Sequence, residues 1–286
     1  MNVTITGNKR QGIHLKEIER LLKALRIAGM QVTVESRFAR YLEREGVDTG
    51  KSRLTESFPE DTDVLLSLGG DGTFLRAAAW AGASSVPVMG VNTGHLGYLA
   101  GFTLDDIGGI MEAVAGRRDI SPRITLELDT PFLPCGFMPY ALNEISVSKG
   151  DTTSMVDIHA TVGGKFLADY LSDGLIVSTP TGSTAYNLSC GGPILAPTLD
   201  CMALTPIAPH SLSLRPVVVN AGSELTLRLD SRGRECHIGV DGRTFAVPAK
   251  GTVLKIRKSA RVINVVQPFY SDFAAVLRRK LRWGVR

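Results

Sequence analysis

The chain has 286 residues, 44% hydrophobic and 21% charged, the balance of a folded globular protein with room for two domains of ~150 residues each. The formal charge of +4 invites a nucleic-acid reading, but eight Lys/Arg against one Asp lie from Arg257 onward, while residues 1–256 hold 24 basic and 27 acidic side chains. The excess belongs to the tail, which argues against a nucleic-acid partner. Cys135, Cys190, Cys201 and Cys236 are scattered with no CxxC pair, MNVTITGNKR has no apolar signal core, and no run approaches ~20 apolar residues. These features exclude a disulfide scaffold and a spanning helix, and lead us to expect a cytoplasmic protein with no membrane partner.

The first part of the chain alternates strand and helix signals. Val3–Thr6 is a β-branched run, and His14–Ala28 carries Ile18, Leu21, Leu22 and Leu25 at helical spacing before Gly29. Gln31–Glu35 reads as a strand, and Phe38, Tyr41 and Leu42 repeat the helical spacing before Gly46. The apolar run Asp63–Leu68 breaks into Gly69-Gly70-Asp71-Gly72, after which Thr73–Ala81 resumes as an alanine-rich helix. Val86–Val91 is a further strand, and Leu104–Ala115 a helix with Asp105 and Asp106 in its first turn and Gly116 past its end. Strands alternating with helices predict an α/β domain with a Rossmann-like parallel sheet over residues 1–120.

The pattern changes between Gly116 and Arg123. Short β runs follow at Ile124–Leu128, Leu142–Ser148, Val156–Val162, Leu175–Ser178, Glu224–Leu229, His237–Val240, Thr252–Ile256 and Val262–Val265. Helical signal is confined to Ser183–Ser189 and Leu199–Leu204, and Gly163-Gly164-Lys165 reads as a hairpin turn. This predicts an all-β, sandwich-like domain over residues 121–266. The last segment, 267–286, holds a helix over Asp272–Arg282, capped by Ser271 or Asp272, with Phe273, Val276, Leu277 and Leu281 as its apolar stripe. Its basic end at Arg278, Arg279, Lys280 and Arg282 either complements the helix dipole or raises the positive potential near a phosphate-rich cleft.

The sharpest motif is LLSLGGDGTFLRAA, a buried strand that turns through glycines directly into a helix. Gly69, Gly70 and Gly72 let backbone N–H groups approach an anion, and the helix N-terminus adds partial positive charge, so phosphate is the natural ligand. A carboxylate repels phosphate, so Asp71 needs a reason: metal coordination, accepting a hydroxyl proton in phosphoryl transfer, or simply capping the helix. Three more segments stand out. GVNTGHLGYLAGF follows a strand and is too glycine-rich for a helix. ALNEISVSKG puts Asn143 and Glu144 at the mouth of a strand, where an amide and a carboxylate can hydrogen-bond a diol such as a ribose. DGLIVSTPTGSTAYNLSCGGPI packs hydroxyls and one aromatic behind a buried strand, a set suited to a nucleotide. No GxxxxGK[ST], HExxH or GxSxG is present.

In this order, LGGDGTFLRAA, GVNTGHLGYLA, ALNEISVSKG and DGLIVSTPTGSTAYNLSCGGPIL resemble the signature blocks of the NAD kinase family, as do PHSLSLRPVVV and GVDGR further on. The resemblance spans about residues 63–245. It implies phosphorylation of the adenosine 2′-hydroxyl of NAD by ATP with Mg²⁺, no metal ligand from the protein being identified, in a homo-oligomer (dimer or tetramer) whose last segment returns to the first domain. On this resemblance Asp71 is the general base, with Gly72 and Leu75 beside it and Tyr98 on the adenine side. Asn143 and Glu144 hold the nicotinamide ribose, Asp173 reaches the nicotinamide end, and Thr181, Thr184, Ala185, Tyr186 and Ser189 line the adenosine pocket. The chain departs from the family at Leu171, where Arg or Gly is common, at Leu214, where Asn is frequent, and at Arg243, where Gln is common. The GGDG loop is shared with lipid kinases, so a lipid kinase and a non-catalytic dinucleotide-binding regulator stand as the alternatives.

Overall fold

The structure, a computed structural model, describes every residue except 10–13, 95–96, 151–153, 270–271, 283 and 285–286, together with the side chain of Arg232. The chain divides into two compact units, residues 1–122 with 263–286, and residues 123–262.

In chain order, the first unit contains β1 (Asn2–Gly7), α1 (Leu15–Ile27), β2 (Gln31–Glu35), α2 (Ser36–Arg44), β3 (Arg53–Thr55), β4 (Val64–Leu68), α3 (Asp71–Trp80), β5 (Val88–Asn92), β6 (Phe102–Thr103) and α4 (Ile107–Val114). Strand β7 (Asp119–Asp129) runs through Pro122 into the second unit, which continues with β8 (Tyr140–Ala141), β9 (Glu144–Lys149), β10 (Val156–Val162), β11 (Lys165–Ser172), β12 (Gly174–Ser178), α5 (Tyr186–Ser189), β13 (Cys201–Ile207), β14 (Val217–Asn220) and β15 (Leu225–Val240). Strand β16 (Arg243–Gln267) ends in the first unit, where α6 (Phe273–Leu281) follows.

The first unit is a parallel sheet in the order β3-β2-β1-β4-β5, with Val265 of β16 opposite Val88 and with β6 along the end of β5. Strands β4 and β5 are buried throughout, which is why they read as unbroken apolar runs. The helical spacing of α1 and α2 delivers Ile18, Leu21, Leu22, Leu25, Phe38 and Leu42 to the core below the sheet. The order reverses between β1 and β4, and at such a reversal the crevice beyond the strands' carboxyl ends is where ligands bind in open α/β sheets. The glycine loop leaves β4 at that end.

The second unit is antiparallel. Strands β14-β13-β12-β9-β15 form one run, and β15 also pairs β10, which pairs β11. Both pairings share β15 because its register to β16 shifts between Arg228 and Glu235, so one long strand serves two groups. Their inward side chains, among them Ile145, Val147, Leu175, Val177, Leu227 and Ile238, make a single core. Gly163-Gly164 closes β10 onto β11 with both φ values positive (55° and 74°), the geometry of a two-residue type I′ hairpin.

Two expectations are corrected. Leu199–Leu204 is not helical: Cys201–Ile207 is the buried strand β13 between β12 and β14. Its Met, Ala and Leu favour a helix in isolation, and the sheet overrides them. In α6, Leu277 is buried and Phe273 and Val276 half-buried, but Leu281 is exposed, so the stripe ends one turn early. Asp272 caps α6 through the N–H groups of Ala274 (3.0 Å) and Ala275 (3.2 Å). Ser271, the other proposed cap, and His95 and Leu96 of the GVNTGHLGYLAGF segment lie outside the described residues.

Candidate active site

Between β4 and α3 the chain turns on Gly69, whose φ of +148° few side chains tolerate and whose Cβ would lie 2.5 Å from Thr73 Oγ1. Gly70 and Gly72 have no such internal reason to be glycine. A Cβ at either would meet nothing within 4 Å, so the space over the loop is open. Gly70 is the N-cap of α3 and offers no side chain, leaving first-turn N–H groups and the positive end of the helix dipole facing that space.

Asp71 does not cap the helix it begins. Its carboxylate turns to the segment after β5 and accepts three backbone N–H groups: Tyr98 at 2.8 Å on Oδ2, and Leu99 and Ala100 at 3.0 and 3.2 Å on Oδ1. Gly97 makes this possible, because a Cβ there would run into Oδ1. The glycine-rich GVNTGHLGYLAGF segment is thus a cradle for one carboxylate. Tyr98 lies alongside. Burial, then the Asp71 charge, push its phenol above the usual range, and its hydroxyl oxygen is buried without a hydrogen-bond partner among the described residues. Leu75 is half-buried on α3.

The other candidates belong to the second unit. Asn143 and Glu144 open β9, and Asp241 fixes their backbone by accepting the N–H groups of Leu142 (2.7 Å), Asn143 (2.8 Å) and Glu144 (3.2 Å). Asp241-Gly242 is the type I′ turn between β15 and β16, with φ of +47° and +76°. Burial raises the Asp241 carboxyl, against those three donors and Arg243, which favour its charged form. Glu144 is pushed up to about 7, first by burial and then by the Asp241 charge. Asn143 Oδ1 and Glu144 Oε2 are buried with no partner among the described residues. Buried polar atoms are almost always paired, so these two acceptors point to a donor group that the described residues do not supply.

Much of the dense STPTGSTAYNLS segment is internal scaffolding. Ser183 Oγ donates to Pro180 O at 2.7 Å and accepts from Leu195 N at 3.0 Å. Asn187 bridges Ser183 O, Pro193 O and Thr205 Oγ1. Gly182 is required because a Cβ would strike the Asn143 carbonyl. The groups left for a ligand are fewer: Thr181, whose Oγ1 receives Arg123 Nη1 at 3.5 Å, half-buried Thr184 and Ala185, and exposed Tyr186 and Ser189. Burial holds Arg123 down at about 10. The Tyr186 phenol is raised by burial, by its contact with Cys190, and by the Glu144 and Asp173 charges, which places it near both carboxylates. Asp173 pairs with Lys149, Oδ1 to Nζ at 2.8 Å. Leu171 is exposed, and Arg243 donates to Tyr140 O at 3.1 Å and lies over Phe137.

The structure therefore groups Gly69, Gly70, Asp71, Gly72, Leu75 and Tyr98 in one unit, and Asn143, Glu144, Asp173, Thr181, Thr184, Ala185, Tyr186 and Ser189 in the other. Asp241 was not singled out from sequence, although its Asp-Gly pair between two β runs is a hairpin signal.

Residues 3–119 match the family model of the ATP-NAD kinase N-terminal domain, and residues 142–267 that of the ATP-NAD kinase C-terminal domain. A protein named NAD kinase from Bacteroides fragilis is 38% identical over 286 residues, covering 99% of this chain and 98% of its own. One from Flavobacterium johnsoniae is 42% identical over 236 residues, 82% of this chain and 79% of its own. Among solved structures, yeast NADH kinase complexed with NADH has a TM-score of 0.87 at 25% identity, covering 100% of this chain and 89% of that one. An NAD kinase from Archaeoglobus fulgidus in complex with ATP has a TM-score of 0.75 at 27% identity, covering 99% of each chain.

Proposed function

The chain belongs to the NAD kinase family, and from that premise we propose that it transfers the terminal phosphoryl group of ATP to the adenosine 2′-hydroxyl of NAD, giving NADP, with Asp71 as general base. One observation carries the assignment: Asp71 stands at the open N-terminus of α3 yet caps nothing, its carboxylate fixed by three backbone N–H groups. That orientation braces residues 98–100 and at the same time keeps a proton acceptor beside the glycine turn at the start of α3.

In this reading the 2′-oxygen attacks the terminal phosphorus, the bond from that phosphorus to the bridging oxygen breaks, and ADP leaves with the electron pair. Asp71 aligns the hydroxyl and takes its proton. General-base help of this kind is worth ~10²–10⁴-fold. Glu144 and Asn143, whose buried acceptors lack donors among the described residues, would receive hydroxyls of the nicotinamide ribose. Asp173 would face the nicotinamide end, and Thr181, Thr184, Ala185, Tyr186 and Ser189 the adenosine. The ligands in the two solved relatives, NADH in one and ATP in the other, support this pairing of substrates.

Among the described residues no three of His, Cys, Asp and Glu cluster as a metal site. Mg²⁺ would enter as part of the donor, Mg·ATP, and neutralise phosphate charge there. The purified chain, given NAD and Mg·ATP, should produce NADP detectable with an NADP-specific dehydrogenase. Absence of NADP while NAD still binds would favour a dinucleotide-binding regulator instead.

A further inference from the structure

The glycine loop lacks positive charge. Neither residues 69–73 nor 97–100 include a Lys or Arg, while Asp71 adds a negative charge where the donor's phosphates would lie. A cation comes from the other end of the sequence. Helix α6, capped by Asp272 and anchored by Leu277, carries four basic residues toward its end, and they go different ways. Arg278 reaches back to Asp272 (3.7 Å), Arg279 lines a cavity of about 390 Å³ with Asp106, Glu112 and Arg117, and Arg282 is exposed. Lys280 is half-buried, with its Nζ 5.0 Å from the centre of the Tyr98 ring. Tyr98 is the residue whose N–H holds Asp71 Oδ2.

We propose that Lys280 is a phosphate-binding residue for the donor, its ammonium held over Tyr98 to meet the phosphate chain beside Asp71. The inference rests on the kinase reading above and adds a residue to it. Lys280 makes no ion pair or hydrogen bond among the described residues, so its three N–H donors have only the face of an aromatic ring. Burial lowers its basicity and the Asp71 charge opposes that, so it lies within electrostatic reach of the carboxylate without pairing to it. An ammonium in that position offsets the repulsion between Asp71 and an incoming triphosphate. A direct salt bridge to Asp71 would instead compete with the carboxylate's role as proton acceptor.

The test compares Lys280→Met, which keeps an unbranched stem and removes the charge, with Lys280→Arg, which keeps the charge. Loss of a charge-assisted phosphate contact should raise the KM for Mg·ATP roughly 10–100-fold in Lys280→Met, with the KM for NAD within about twofold of wild type. Lys280→Arg should recover most of that loss. The proposal is overturned if Lys280→Met lowers only the melting temperature, which would make the lysine a pin for α6, or if the KM for NAD rises in place of that for ATP. Calorimetric titration of each protein with Mg·ATP alone separates this question from the activity. If the wild type makes no NADP, the kinase reading fails, and the ATP affinities of wild type and Lys280→Met still decide the role of Lys280.

Discussion

Replacing Asp71 by Asn separates the two roles the structure gives this side chain. The carboxylate accepts N–H groups from Tyr98, Leu99 and Ala100 at 2.8, 3.0 and 3.2 Å. An amide has one oxygen, and if it keeps the pair from Leu99 and Ala100 its NH₂ faces the Tyr98 N–H, donor against donor. One charge-assisted bond is lost, one backbone donor is left unpaired, and the remaining two bonds lose their charge, a cost of ~2–4 kcal/mol. At ~2–4 °C per kcal/mol for a chain of this size, the melting temperature should fall by roughly 5–15 °C. The chemistry should suffer more: without a proton acceptor kcat should fall ~10²–10⁴-fold, with NAD still bound. Scanning calorimetry gives the first number, and NADP formation at saturating NAD and Mg·ATP the second. A variant melting 10 °C lower but retaining a third of wild-type kcat would make Asp71 a brace for residues 98–100 and refute its role as base.

Gly97→Ala places a methyl against Asp71 Oδ1 and should displace the carboxylate without removing it, lowering kcat by about 10²-fold while circular dichroism stays native. Glu144 holds its proton up to about 7 in the fold against 4.5 ordinarily, so between those values the unfolded chain binds fewer protons and stability falls as pH rises. Across that window the loss is about 3 kcal/mol. Glu144→Gln abolishes it, and its melting temperature should gain on wild type by several degrees between pH ~5 and ~8; parallel curves would remove the burial argument. Asp241→Ala leaves the N–H groups of Leu142, Asn143 and Glu144 without their acceptor. It should cost ~3–5 kcal/mol and raise the KM for NAD more than it lowers kcat, as steady-state kinetics would show.

What sequence conveys and what it withholds follow from the range of the interactions. The glycine loop is legible because its signal is local: a buried strand, a run of glycines of which Gly69 takes a conformation few side chains tolerate, and a helix within a few residues. The alternation of helical and strand periods gave the α/β first unit and the β-rich second one for the same reason. The partner of Asp71 lies 27 to 29 residues away and acts through backbone N–H groups, which any amino acid but proline offers, so no side-chain pattern announces it. Asp241 serves residues 97 to 99 positions earlier in the same manner. In STPTGSTAYNLS the polar density suggests ligand chemistry, yet Ser183 and Asn187 spend their hydrogen bonds closing the turn. The basic tail shows its charge in composition, but not that Lys280 lies over the Tyr98 ring.

The central claim is that this chain moves a phosphoryl group onto the 2′-hydroxyl of NAD. The direct measurement incubates the purified protein with Mg²⁺ and γ-labelled ATP, offering NAD in one reaction and diacylglycerol in another. The account predicts label in NADP, released by a phosphatase that acts on the 2′-position, and none in lipid. Label in the lipid, or label on NAD at any other hydroxyl, would contradict it.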